Sequence, residues 1–297
     1  MMEGFKDGYF DVGSERLHYV EAGSGPLVIF FHGFPLFWFS FQHQMAALKD
    51  QYRVVAVDGL GVNLSSKPED LSLFKVKNLA AQLDALARSL VGDEPFYLVG
   101  HDWGGALTWT FAQQYPERLH KIVVLNAPPV NQLLGLLQTN EEQQKRSSYM
   151  FSMRGGKTHQ MITENGGHLL WQNAYAKLRE MSHFTEAHDE TFRQGLAQPG
   201  AIDGGINWYR ANVPKPEDIC DGDFWPSKHA STSVPGLLIW GETDQTFVSS
   251  FIDDLPKYVE NLTVHRMPGI GHSPMLESPE EVNRILLDYF SESSPGA

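Results

Sequence analysis

The stretch Phe96 to Gly105, FYLVGHDWGG, constrains the fold more than any other part of the chain. An apolar run breaks at a glycine, a carboxylate follows, and two more glycines lead into a helical pattern. We read Phe96 to Val99 as a buried parallel strand, Gly100 to Gly104 as a sharp turn, and Ala106 to Tyr115 as a helix. That order presents a nucleophile at the top of a sheet. The glycines at 100, 104 and 105 leave room for strained backbone at the central residue. The apex is Asp102, and no G-x-S-x-G occurs in the chain. A carboxylate is already ionised at neutral pH, and the helix N-terminus behind it favours the charge. It suits attack on an sp3 carbon with a strained or good leaving group, forming an ester that water must later cleave. An Asp after a strand also commonly caps the following helix. The flanking glycines and the partners below favour the nucleophile.

Around this turn the pattern alternates between strands and helices. Tyr9 to Glu21 reads as an antiparallel hairpin turning near Gly13-Ser14, and Leu27 to Phe31 as a buried strand ending in His32-Gly33-Phe34-Pro35. A helix is expected from about Phe39 to Leu48, a third buried run over Tyr52 to Val57, and a helix over Leu73 to Val91 with Leu79, Leu83, Leu86 and Leu90 on one face. Ile122 to Leu125 is the next strand. Strand signal then vanishes until about Ser233 and returns at Leu237 to Trp240 and Leu262 to Met267. Pro279 to Phe290 closes the chain as a helix with Val282, Ile285, Leu286 and Tyr289 as its stripe, before a short polar tail. Alternating apolar strands and helices predict an α/β chain with a mostly parallel, doubly wound sheet. Residues 1–127 and 234–297 form the expected core. Residues 128–233 form a helical lid inserted after the sixth strand.

With 297 residues, 42% of them hydrophobic and 20% charged, the chain is long enough to bury a large core. Its formal net charge of −13 argues against nucleic acid or an anionic membrane as a partner. The single cysteine, Cys220, excludes an internal disulfide framework. No signal pattern opens the chain and no apolar run reaches spanning length, so a soluble, cytoplasmic protein is expected. The loop Gly59-Leu60-Gly61-Val62-Asn63 lacks the third glycine of a dinucleotide fingerprint and reads as a turn. His183 and His188 are five apart, not at the spacing of a helical metal pair. We expect neither metal nor cofactor. The sequence leaves a homo-oligomer open.

Two further signals follow the late strands. Asp244 lies in Gly241-Glu242-Thr243-Asp244, at the carboxyl end of a strand, where open α/β sheets place functional groups. His272 lies in a glycine-rich loop after the last strand. With Asp102 they give the chain order nucleophile, acid, histidine. His272 is expected to activate water against an ester on Asp102, and Asp244 to orient and balance the imidazole. Glu242 is the competing acid, and Asn126 a weaker candidate partner, because an amide can orient a histidine but not balance its charge. The backbone amides of Phe34 and Trp103 are the expected oxyanion donors. His32 reads as structural.

The motifs GHDWGG at Asp102, HGFP at residues 32–35 and NWYR at residues 207–210 together resemble the soluble epoxide hydrolases of the alpha/beta-hydrolase superfamily. The resemblance covers essentially the whole chain and implies the alpha/beta-hydrolase fold. It also implies a small apolar epoxide and water as partners, with vicinal diols as products. It assigns two lid tyrosines to the epoxide oxygen: Tyr209 by its NWYR setting, and Tyr149, with Tyr175 as a substitute. An epoxide oxygen stays on the product and needs a proton donor at a site the lid can close. Phe34, Trp38, Trp103 and Trp208 are expected to wall an apolar pocket, with Phe39 a further aromatic there. One departure is Leu60, where relatives commonly carry an arginine in D-x-R-G-x-G; this puts a structural hydrogen-bond cluster in question. The competing readings are a haloalkane dehalogenase using the same Asp-His-Asp set, and a binding protein that has lost turnover.

Overall fold

A computed structural model of the chain describes residues 4–292. The first three residues and the polar tail beyond Glu292 lie outside it. Eight strands form one sheet: β1 (Lys6–Val12), β2 (Glu15–Ala22), β3 (Leu27–Phe31), β4 (Arg53–Val57), β5 (Phe96–His101), β6 (Leu119–Leu125), β7 (Gly236–Gly241) and β8 (Leu262–Met267). Their spatial order is β1-β2-β4-β3-β5-β6-β7-β8. The first two pairings are antiparallel and the rest parallel. The division of labour follows the residues. β3 and β7 are apolar runs buried at every position, as strands covered on both faces must be, whereas β1 lies half in solvent at the edge. Register brings the carboxyl ends level, with Phe31 beside Gly100, His101 beside Leu125 and Leu125 beside Ile239. Residues just past those ends therefore share one rim.

Helices α1 (Gln42–Leu48), α2 (Val76–Val91) and α3 (Trp103–Gln114) follow β3, β4 and β5. The starts of these three helices shift by a few residues, while α1 and α2 end at Leu48 and Val91 as expected. Trp38–Phe41 and Leu71–Phe74 are single 3-10 turns, so α1 and α2 start later than their apolar patterns do. The helix after the nucleophile turn starts at Trp103, three residues earlier than expected, because the turn is confined to Asp102 itself.

Between β6 and β7 there is no strand among the described residues. The chain runs through α4 (Val130–Thr139), α5 (Glu141–Arg146), α6 (Tyr149–Ser152), α7 (Gly156–Ala174), α8 (Glu186–Leu196) and α9 (Ala201–Asn212). α7 is interrupted at Glu164 to Gly167, where Asn165, Gly166 and Gly167 take positive φ. α9 lies backbone to backbone on the loop after β4: a β-carbon on Gly204 would stand 2.0 Å from the Gly61 carbonyl oxygen. The glycines of the loop read as a plain turn thus admit a helix. The Leu60 carbonyl accepts a hydrogen bond from the Trp208 indole at 2.7 Å. The cluster put in question by Leu60 is built from other residues. Buried Asp58 accepts from His18 Nδ1 (2.7 Å), Asn63 Nδ2 (2.8 Å) and the Trp38 amide (2.9 Å).

After β7 the chain forms α10 (Phe251–Asp254), and after β8 it forms α11 (Pro274–Glu277) and α12 (Pro279–Ser291). α12 buries Val282, Ile285, Leu286 and Phe290; Phe290 takes the place expected of Tyr289, which is half-buried. No helix of the described residues is long and apolar enough to cross a membrane.

Candidate active site

Asp102 sits at the apex between β5 and α3 with φ +52° and ψ −118°, a region that costs a non-glycine residue strain. Its neighbours are cut away to hold it. A β-carbon on Gly104 would lie 1.9 Å from the Phe31 carbonyl oxygen, and one on Gly33 would lie 2.2 Å from Asp102 Oδ1. The Phe34 amide donates to Oδ1 at 3.0 Å, and the Trp103 amide also faces the carboxylate. Both expected donors thus lie at the Asp102 carboxylate. Oδ2 faces His272 Nε2 at 3.5 Å. Burial works against the charge, but His272 and these amides outweigh it and leave the carboxyl below its ordinary value.

His272 lies between two carboxylates, with Nδ1 2.8 Å from Asp244 Oδ2. Burial would lower its pKa; the Asp244 charge and the hydrogen bonds to both aspartates overcome this and raise it to about 10. In the resting protein the pair is therefore Asp102 carboxylate and His272 imidazolium. Asp244 is buried and accepts from Asn126 Nδ2 (2.6 Å) and from the amides of Thr246 (2.5 Å) and Phe247 (3.3 Å). Against the penalty of burial, the His272 charge and these bonds hold its carboxyl at about 2. Glu242 points away, 3.6 Å from Arg266 on the surface. Asn126, weighed as an orienting amide for the histidine, instead bonds Asp244, and its Oδ1 accepts the Gly241 amide at 2.8 Å.

A cavity of about 560 Å³ opens above this group. Phe34, Leu36, Met153, Leu170 and Leu178 give it apolar walls, with Asp102, His272, Tyr149 and Tyr209 at its base. Tyr209 comes from α9 and Tyr149 from the start of α6, with ring centroids 6.2 Å apart. The Tyr209 ring stands nearly perpendicular to Trp103 at 5.1 Å and to Phe34 at 5.9 Å, and its hydroxyl faces the Trp103 indole and the Tyr149 hydroxyl. Burial, reinforced by the Asp102 charge, pushes both phenols well above their usual pKa, so both are protonated donors. Tyr175 also lines the cavity, but its hydroxyl donates to the Pro35 carbonyl at 2.7 Å.

Of the expected pocket residues, four do not line this cavity: Trp38, Phe39, Trp103 and Trp208. Trp208 is buried between Phe31, His32 and the Leu60 carbonyl, where it docks α9 onto the sheet. Trp38 packs on Phe39 beside the Asp58 cluster, and neither ring lines the cavity. On a two-faced helix an aromatic serves docking or pocket equally well, and spacing does not distinguish them. Trp103 lines a small apolar pocket on the other side of Asp102, with Pro128, Leu133, Met150 and Phe247. His32 is structural: Nδ1 donates to the Gly33 carbonyl at 2.8 Å, and Nε2 accepts the Gly59 amide at 3.0 Å. Its pKa is lowered, chiefly by burial. His101, one residue before Asp102, carries no distinguishing signal in the sequence. It donates through Nε2 to the His272 carbonyl at 2.8 Å, and burial drops its pKa to about 4, leaving it neutral. Among the described residues no cluster of His, Cys, Asp and Glu is arranged to hold a metal.

The family described as the alpha/beta hydrolase fold matches residues 26–279. Among curated relatives, Epoxide hydrolase 4 of Mus musculus is 31% identical over 289 residues, covering 94% of this chain and 77% of that one. Epoxide hydrolase 1 of Caenorhabditis elegans is 28% identical, covering 98% and 72%. The crystal structure of the Bacillus megaterium epoxide hydrolase with an inhibitor superposes with a TM-score of 0.87 at 28% identity, covering 96% of this chain and all of that one (100%). With these likenesses running over most of its length, the chain belongs to the epoxide hydrolases of the alpha/beta-hydrolase superfamily.

Proposed function

We propose that the protein opens an apolar epoxide to a vicinal diol through an ester on Asp102. The observation that carries this reading is the pairing, in one cavity, of an ionised carboxylate with two protonated phenols and no serine nucleophile. The helical segment between β6 and β7 acts as the lid that supplies those phenols.

In the first step Asp102 attacks an epoxide carbon and the ring C–O bond breaks. The leaving oxygen takes a proton from Tyr149 or Tyr209. Esterification removes the Asp102 charge, one of the influences that raise both phenol pKa values, so the donors become more acidic as the reaction draws on them. It also removes one of the two carboxylates that hold the proton on His272. That proton can return to the phenolate, leaving a neutral imidazole able to act as a base. In the second step His272 takes a proton from water, and the resulting hydroxide attacks the ester carbonyl carbon. The oxyanion forms between the Phe34 and Trp103 amides. Asp244 balances the imidazolium. Collapse breaks the bond to the diol oxygen, which takes the remaining proton of the added hydroxyl; the diol leaves, Asp102 is again a carboxylate now carrying one water oxygen, and His272 is again protonated.

A dehalogenase would need the Trp103 indole free for a halide, whereas it faces the Tyr209 hydroxyl. A ligand-binding role without turnover would have no use for an acid, a base and a nucleophile in register. The test uses His272→Gln with styrene oxide: the Asp102 peptide should gain the mass of the epoxide and retain it, while the parent yields diol. An unmodified peptide from a variant that still makes diol at the parent rate would overturn the route.

A further inference from the structure

The tripeptide Gly271-His272-Ser273 is held by more than its own loop. Glu277, at the end of α11, has its side chain only 5% exposed. Its Oε2 accepts the Gly271 amide at 2.8 Å and its Oε1 the Ser273 amide at 3.0 Å, so one carboxylate brackets the histidine on both sides. The His272 carbonyl is taken by His101. The two loop amides and the His272 carbonyl are thereby fixed, and the His101 ring also packs against the imidazole, with ring centroids 5.0 Å apart.

Glu277 is also tied across the cavity. Lys177, just after α7, reaches its Oε2 at 2.5 Å, and both residues line the cavity. The pair packs so closely on Gly271 that a β-carbon there would lie 2.7 Å from Lys177 Nζ and 2.8 Å from Glu277 Oε1. Six residues after Lys177, His183 Nε2 bonds the Leu276 carbonyl at 2.7 Å, beside Glu277. Two residues before Lys177, Tyr175 bonds the Pro35 carbonyl, next to the oxyanion amide of Phe34. One short stretch of the helical segment thus touches both the base loop and the oxyanion loop.

We propose that Glu277 is a positioning residue for His272, and that Lys177 makes this positioning depend on the helical segment being seated. The inference rests on the ester route above. Its consequence is selective: ester formation needs Asp102 and the tyrosines, whereas ester hydrolysis needs His272 in place. Displacing a base by a fraction of an ångström slows only the step that uses it.

The experiment is a rapid-quench single turnover of the full chain with styrene oxide, following the ester on Asp102 by mass in the parent, Glu277→Gln, Lys177→Met and Lys177→Arg. Glu277→Gln should leave ester formation within about 3-fold of the parent and slow hydrolysis about 10-fold to 100-fold, so that ester accumulates. Lys177→Met should shift the partition the same way by a smaller factor, and Lys177→Arg should restore it. Equal slowing of both steps, or hydrolysis unchanged in Glu277→Gln, overturns the proposal. If the parent itself forms no ester, the reaction scheme fails separately, and positioning is read from the His272 Nδ1 proton resonance of the free protein. That resonance should broaden in Glu277→Gln, and an unchanged line would overturn the positioning role.

Discussion

The two halves of the site are held by different means. On the sheet rim, Asp102 is placed by backbone: a positive φ, and glycines whose missing β-carbons are filled by a carbonyl and by the carboxylate itself. The helical segment places Tyr149, Tyr209 and Lys177 by side-chain contacts that cross long stretches of sequence. It grips all three rim loops. Arg146 bonds the Asp244 and Phe247 carbonyls at 3.1 and 2.7 Å, Tyr175 holds Pro35, and Lys177 holds Glu277. The rim has one geometry or none, whereas the helical half is a sum of separable contacts. Damage to the first should abolish chemistry, and damage to the second should scale it.

Asp102→Ala should break the comparison at its hardest point, with no diol and no modified peptide from any epoxide. Gly33→Ala tests the same half without touching a reacting group. Its methyl must displace the Asp102 carboxylate, and a loss of about 100-fold or more in the ester-forming rate is expected; a rate within 3-fold of the parent would mean the rim is softer than its geometry implies. On the helical side, Tyr209→Phe removes one donor and should slow ring opening by about 10-fold to 100-fold, or roughly 1.4 to 2.7 kcal/mol. Smallest is Tyr175→Phe, which loses only the bond to Pro35: about 1 kcal/mol of stability by denaturant titration, with little change in ring opening.

The pH dependence sharpens the division further. Asp102 ionises below the ordinary carboxylate value, so ester formation should stay flat down to about pH 5. Hydrolysis needs the neutral imidazole. His272 stands at about 10 beside two charged carboxylates and drops once Asp102 is esterified, so hydrolysis should rise with pH through a midpoint below that of the free protein. Separate rapid-quench rates for the two steps would contradict this if they shared one midpoint.

This contrast also explains what could be read from the chain. The rim was legible because its signals are local. Apolar strands end in glycine-flanked polar residues, and Asp102, Asp244 and His272 each follow such a strand. The eight strands and the acid preference over Glu242 came from the same logic. The roles of Asn126, Glu277, His101 and Lys177 were not legible, because each depends on a partner brought near only by folding. Asn126 and Asp244 are 118 positions apart, and Lys177 and Glu277 are 100 apart. Trp38 and Trp208 misled for the related reason that an aromatic near a site docks elements together as readily as it lines a pocket.

The central claim is that Asp102 attacks carbon and water attacks the ester. A single turnover of excess enzyme with styrene oxide in oxygen-18 water tests it most directly, by mass analysis of the diol and of the peptide carrying Asp102. The account predicts unlabelled diol in that turnover, with the label in the Asp102 peptide. Labelled diol over an unlabelled peptide would mean that water opens the ring directly, and would contradict it.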